Sequence, residues 1–158
     1  MHKVTPFLWY DTQAEEAAKF YVSIFPKSKI LKMARYGDAG PGPKGSVMTV
    51  EFELAGQRMI ALNGGPHFKF TEAISLSVDC KDQKEVDHYW SKLSQGGQES
   101  MCGWLKDKYG LSWQINPSIL GKLLSDKDAK KAQRVMEAML KMKKIDIAAL
   151  NAAAKEVS

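Results

Sequence analysis

The side chains of this sequence that can do chemistry are few and scattered. His67 follows a Gly64-Gly65-Pro66 turn, Glu72 stands five residues further on, and His88 falls inside a helical pattern. Glu51 and Glu53 alternate with Met48, Val50, Phe52 and Leu54 along a β-prone run. A zinc or iron centre needs several convergent His, Cys or carboxylate ligands. No two histidines here have ligand spacing, so His67 reads as an exposed loop residue and His88 as a surface or boundary residue. Acid–base chemistry asks for less. If strand alternation turns Glu51 or Glu53 into a cavity, partial burial raises its pKa and makes it a general base; an exposed sheet face is the other reading. Asn63, at a strand end, together with Trp104 and Gln114 would give an amide pair and an aromatic wall for a flat or hydroxylated small molecule. Core packing explains Trp104 equally well. Cys80 and Cys102 form no CxxC pair and read as free thiols in a reducing, cytoplasmic setting. Cys102 has no histidine nearby in sequence to generate a thiolate.

These side chains need elements to carry them. VTPFLWY is short and β-prone and runs into D-T-Q-A-E-E, where Thr12 and Glu15 have capping-box spacing that predicts a helix start. Ala14, Ala17, Ala18, Tyr21, Ile24 and Phe25 follow as one stripe, and Pro26 ends it. SKILKMARYG reads as a strand, DAGPGPKG as a breaker-rich loop, and SVMTVEFEL and QRMIALN as strands joined at Ala55-Gly56. The β-α-β-β-β order then restarts. EAISLSVDC is a strand, and KDQKEVDHYWSKLS is a helix with Val86, Tyr89, Trp90 and Leu93 on one face, stopped by Gly96-Gly97. QESMCGWLKD and LSWQIN close the set around a Tyr109-Gly110 turn. An offset of 69 residues places Val4 on Ala73, Ala17 on Val86, Tyr21 on Trp90 and Ile24 on Leu93, which marks a duplicated module. The second copy is shorter, so its middle strands must be short or irregular.

The fold class is therefore α+β, two tandem βαβββ modules plus C-terminal helices. Residues 1–117 hold the pair, as 1–65 and 70–117, and residues 118–158 form a helical extension. In that extension Ala132, Val135, Met136, Met139 and Leu140 make an apolar stripe, and DIAALNAAAKEV adds an alanine-rich helix. The formal charge is +5 over 158 residues, and the tail from Ser118 supplies four of those charges. The tail has no aromatic residue, so a nucleic-acid face is not expected. No stretch is apolar and long enough to span a bilayer, and MHKVTPFLWYDT lacks a signal-peptide core.

W-Y-D-T-x-A-E-E-A-x-x-F-Y, N-G-G-P-x-F-x-F-T-E-A-I-S and C-G-W-L-K-D-K-Y-G-L-S-W-Q-I-x-P together resemble the PhnB-like branch of the vicinal oxygen chelate superfamily. That superfamily includes glyoxalase I, extradiol dioxygenases and the fosfomycin and bleomycin resistance proteins. The resemblance covers residues 3 to 117. It implies cupped mixed sheets that enclose a cavity, and a homodimer. Metal-dependent members place His or Gln on the first strand of one module, His on the first strand of the next, and Glu on the last strand. Strand alternation here would turn Val4, Pro6 and Leu8 inward, then Ala73, Ser75 and Ser77, then Ser112, Gln114 and Asn116, leaving Ile74, Leu76 and Val78 to the helix core. The implied ligand places thus fall on Val4 or Pro6, on Ala73 and on Gln114. Aliphatic side chains cannot bind a metal, and an amide carbonyl binds one weakly.

Members of this branch are often labelled 3-demethylubiquinone 3-methyltransferase. A methyltransferase of the usual kind shows a Gly-rich turn after its first strand, where this chain has D-T-Q-A-E-E. The expectation is a metal-independent small-molecule-binding protein without cofactor, whose cavity candidates are Glu51, Asn63, Glu72, Ser75, Trp104 and Gln114. Glu72 either satisfies backbone groups at the module junction or bends into the cavity mouth. The alternative is a metal-dependent lyase, isomerase or dioxygenase of the superfamily with atypical ligands.

Overall fold

The computed structural model describes residues 2–156, which divide into two compact units, one running to Phe70 and one starting at Thr71. In the first, β1 (Phe7–Tyr10) leads to α1 (Ala14–Ile24), then β2 (Lys29–Arg35), β3 (Val47–Leu54) and β4 (Gln57–Asn63). The strands lie in the order β1-β4-β3-β2, with β1 parallel to β4 and the other pairs antiparallel. Small residues set the packing distance of the helix: Ala14, Ala17 and Ala18 are fully buried beside Tyr21 and Ile24, on the side where Val50, Phe52, Met59 and Ala61 are also buried. Burying such a side chain contributes about 1.5–3 kcal/mol for the larger members, before chain entropy is counted.

The start of α1 differs from the expectation. Gln13, not Thr12, occupies the cap position and makes no side-chain cap bond. Instead the Ala14 N–H donates to Asn63 Oδ1 at 2.8 Å, so a residue from the far end of the unit supplies the acceptor that a capping box would have given.

The second unit repeats the pattern with β5 (Ser75–Cys80), α2 (Gln83–Ser94), β6 (Gln98–Glu99), β7 (Trp104–Lys106) and β8 (Ser112–Pro117), in the order β5-β8-β7-β6. A reciprocal cap opens α2. Asp82 accepts from the Glu85 N–H while Glu85 accepts from the Lys81 N–H. Val86, Tyr89, Trp90 and Leu93 are buried as expected, on the side of Val78, Leu105, Trp113 and Ile115. The stretch QESMCGWLKD is not one strand but two, turned through Cys102 at φ 60° and Gly103 at φ 84°. Gly103 has no alternative residue, because a Cβ there would stand 2.9 Å from the Ile115 carbonyl oxygen.

The duplication is real, but its strand register is corrected by one residue. Buried Leu8 and Tyr10 correspond to buried Val78 and Cys80, 70 positions on, whereas the caps Gln13 and Asp82 are 69 apart. Two residues, Asp11 and Thr12, join strand to cap in the first unit, and Lys81 alone does so in the second. A one-residue slip exchanges the two faces of a strand. Leu8 therefore packs toward the helix, and Phe7 and Trp9 turn away from it. Val4 and Ala73 lie ahead of their strands and are exposed, as is Ile74 at 72%, which was expected in the core.

Beyond β8 come α3 (Ser118–Leu124), α4 (Ala129–Leu140) and α5 (Ile147–Lys155), which belong to the second compact unit. Leu120, Leu123, Val135, Ile145 and Leu150 make their own buried cluster. Of the expected stripe Val135 is fully buried, while Met136 and Leu140 are exposed. The segment between α4 and α5 is laced to the sheet: Cys102 N–H donates to the Met142 carbonyl at 2.7 Å and Gly103 N–H to that of Lys143 at 2.8 Å. Gln83 clasps the same segment from both ends, donating to the Ile145 carbonyl and accepting from the Ile147 N–H.

Candidate functional site

In each unit one sheet face packs on the helix and the other is turned away from it. On the open face of the second sheet, β8 presents Ser112, Gln114 and Asn116, because Trp113 and Ile115 between them are buried toward α2. Register sets their neighbours. Ser112 lies across from Ser75 and Lys106, Gln114 across from Ser77 and Trp104, and Asn116 across from Asp79. The amides lean one step along the ladder, so Gln114 Nε2 donates to Ser75 Oγ and Asn116 Nδ2 to Ser77 Oγ, both at 2.9 Å. The result is a row of hydroxyl and amide groups bordered by one indole.

Trp104 stands between two cavities. One of about 350 Å³ is lined by Glu72, Gln98, Ser100, Trp104, Lys106 and Ser112. The other, about 430 Å³, joins Trp104, Gln114 and Asn116 to Cys102 and to Leu124 and Met139 of the C-terminal helices. Both volumes suit a small organic ligand. Lys106 pairs with Glu72, and that hydrogen bond and charge hold the Glu72 carboxyl below the usual carboxylate range. Among the described residues, Ser112 Oγ is the buried side-chain polar atom without a hydrogen-bond partner.

The hairpin that holds Lys106 opposite Ser112 is organised by Asp107. Its carboxylate is 2% exposed and accepts from the N–H groups of Tyr109 and Leu111, at 2.8 and 3.1 Å, and from Trp113 Nε1 at 2.9 Å. Neither Asp107 nor Lys106 was singled out from the sequence. For Lys106 a signal existed: alternation along Trp104-Leu105-Lys106 puts it on the face of Trp104.

Of the expected cavity residues, Glu72, Ser75, Trp104 and Gln114 belong to this one face and its rim. Glu51 lies on the open face of the first sheet, where its Oε1 accepts from Arg58 Nη2 at 2.8 Å. Phe7, Trp9, Ile60 and Leu62 share that face with Lys32, Thr49 and Glu53, so it mixes aromatic and aliphatic side chains with charged ones. Asn63 is spent on structure. Beyond its bond to Ala14, its Nδ2 donates to the Val47 carbonyl and its own carbonyl accepts from Tyr36 Oη at 2.5 Å.

A cavity of about 480 Å³ opens beside Asn63, among Asp11, Glu15, Tyr36, Gly64 and His67. On its border Glu15 pairs with Lys19 one turn along α1 at 2.6 Å, and the Gly65 carbonyl accepts from Trp9 Nε1. Gly64 packs so closely on Trp9 that a Cβ would lie 2.4 Å from the ring. His67 is exposed.

The superfamily's metal calls for a convergent donor set. Among the described residues, no group of three His, Cys, Asp or Glu side chains is placed to hold a metal ion. The groups gathered on the open face of the second sheet are hydroxyls and amides, which do not fit a transition-metal centre. Among the described residues, no helix is long and apolar enough to cross a membrane.

Comparison with known proteins agrees with this architecture. Residues 2–116 match the model of the 3-demethylubiquinone-9 3-methyltransferase family. A PhnB protein from Bacillus cereus, described by the same methyltransferase name, is 39% identical, with a TM-score of 0.68, over 73% of this chain and 99% of that one. A Pseudomonas aeruginosa protein is 20% identical at a TM-score of 0.62, over 74% of this chain and 98% of that one. The fosfomycin resistance protein FosX of Listeria monocytogenes, solved with Mn(II) and sulfate, shares the fold at 13% identity and a TM-score of 0.51, over 74% and 91% of the two chains. No curated protein matches in sequence. Two tandem βαβββ modules with these neighbours define a vicinal oxygen chelate superfamily protein. Within that superfamily the chain belongs to the PhnB-like, 3-demethylubiquinone-9 3-methyltransferase-like family. The helices after residue 117 lie outside the family match.

Proposed function

We propose that the chain is a small-molecule-binding protein that works without a metal or cofactor, its ligand held on the open face of the second sheet. The observation that carries this reading is the polar row Ser75, Ser77, Ser112, Gln114 and Asn116 beside Trp104, on a sheet face that α2 leaves uncovered. Such a row orients a ligand through hydrogen bonds, and the indole supplies a flat apolar wall. It offers no nucleophile with a base beside it and no ligand triad, which favours binding over a lyase, isomerase or dioxygenase reaction. Methyl transfer is also disfavoured. The connections that follow the first strands, Asp11-Thr12 and Lys81, contain no glycine to let a cofactor approach the backbone. The family likeness supports a homodimer in solution, which sedimentation would measure.

The reading is tested by screening small aromatic and hydroxylated compounds for a rise in melting temperature and mapping each hit by amide NMR shifts. Hits should perturb residues 104–106 and 112–116 and lose about fivefold in affinity in Gln114→Ala, the scale of one lost hydrogen bond. Stoichiometric metal in the purified protein, whose removal abolishes hit binding, would refute it.

A further inference from the structure

The open face of the second sheet contains one group that its own neighbours leave unserved. Ser112 is 1% exposed, and its Oγ has no partner among the described residues. Every other hydroxyl and amide of the row has one: Ser75, directly across from Ser112, accepts from Gln114, and Ser77 accepts from Asn116. An unpaired buried hydroxyl is destabilising, and that penalty is removed when a ligand supplies the missing acceptor or donor.

The chemistry of that ligand is written in the groups around Ser112. Lys106 lies directly across the ladder from it, so their Cβ atoms are neighbours on one face. The Lys106 ammonium is held by the Glu72 carboxylate, which reaches in from ahead of β5, outside the strand ladder. Glu72 is 61% exposed at its side chain, so it can leave Lys106 without breaking a sheet hydrogen bond. The other acid on this cavity, Glu99, accepts from Trp90 Nε1 at 3.0 Å. Once Glu72 moves away, the cavity presents an ammonium and a buried hydroxyl side by side, with Gln98 opposite Lys106 and Trp104 as a wall.

We propose that the cavity beneath Lys106 and Ser112 is a subsite for an anionic oxygen group on an aromatic ligand, and that Glu72 occupies it as an internal stand-in until the ligand displaces it. The inference rests on the binding reading above and specifies its ligand class. The incoming group replaces one carboxylate on Lys106 and adds the bond to Ser112 Oγ that Glu72 does not make. Carboxylate and phosphate share this chemistry and are told apart by experiment.

The test is an amide NMR titration of the full chain with benzoate, phenyl phosphate and uncharged benzyl alcohol, in wild type and three folded variants. Glu72→Gln removes the internal competitor and should tighten both anions about threefold, the scale of an exposed ion pair. Lys106→Gln should weaken them about tenfold and leave benzyl alcohol unchanged. Ser112→Ala should weaken the anions about fivefold; a hydroxyl with only a structural role would alter melting without altering affinity. The tighter of the two anions identifies the group as carboxylate or phosphate. Equal binding of anions and benzyl alcohol, or no gain in Glu72→Gln, overturns the anion subsite while keeping a ligand on this face. Absence of shifts in residues 104–116 with all three probes, in every variant, overturns both.

Discussion

Replacing Asp107 by Asn removes one charge and one acceptor and leaves the shape of the side chain unchanged. In the wild-type protein three donors converge on the buried carboxylate: the Tyr109 and Leu111 amides on one oxygen and the Trp113 indole N–H on the other. The Asn oxygen can serve only one side. Kept toward the two backbone amides, it leaves its NH₂ facing Trp113 Nε1–H, donor against donor, inside a site from which water is excluded. An indole N–H stranded there costs about 1–3 kcal/mol, and the two remaining bonds lose their charge assistance. Relief of the buried charge acts in the opposite direction, but a carboxylate with three donors has little of its desolvation left uncompensated. The expected net loss is about 3 kcal/mol, or about 9 °C in melting temperature at roughly 3 °C per kcal/mol for a chain of this length. Urea denaturation gives the free energy, and amide exchange across residues 104–117 localises it. Trp113→Phe removes the donor, so a double-mutant cycle should show coupling of about 1–2 kcal/mol between the two positions. If Asp107→Asn lies within about 0.5 kcal/mol of wild type, the hairpin is not held by this carboxylate and the reasoning fails.

Three further outcomes are expected. Burial pushes the Cys80 thiol up to about 12, so it stays protonated and inert to iodoacetamide at pH 8 until the chain unfolds. The sign follows from linkage: the folded state keeps a proton that the unfolded thiol loses above about pH 8.5, so this contribution to stability is present below that pH and fades as pH rises toward 12, which Cys80→Ala should abolish. Asn63→Ala strips the Ala14 amide and the Val47 carbonyl of their partner, and should lower stability by about 2 kcal/mol with faster exchange at Ala14. Gln83→Ala opens the clasp on Ile145 and Ile147 and should speed tryptic cleavage at Lys143 and Lys144, with loss of about 1 kcal/mol; unchanged cleavage would show that the helices after residue 117 hold themselves.

The elements were legible in the sequence because periodicity is local. The stripes on α1 and α2, the strand β4 and the turn at Ala55-Gly56 could all be read from residues within a few positions of one another. What could not be read was long-range. Thr12 and Glu15 have the spacing of a capping box, yet Asn63, 49 positions from the amide it serves, does the capping. Strand parity in β1 is the reverse of the expectation because the strand-to-helix joint differs by one residue between the copies, and a single residue decides which face Leu8 takes. The site divides along the same line. Ser75 and Gln114 follow from alternation within their own strands, β5 and β8, whereas the roles of Lys106 and Asp107 depend on what a hairpin brings across to them.

The lacing of residues 142–147 onto Cys102, Gly103 and Gln83 has a consequence for synthesis. Among the described residues, the backbone hydrogen bonds that close the first unit join residues that all precede Phe70. The second cannot do the same. The Cys102 and Gly103 amides have their acceptors some forty positions later, and those acceptors emerge from the ribosome only after the sheet, α3 and α4 have done so. A stall or truncation within α4 would therefore yield a finished first unit joined to a second whose turn at Gly103 presents two unpaired amides.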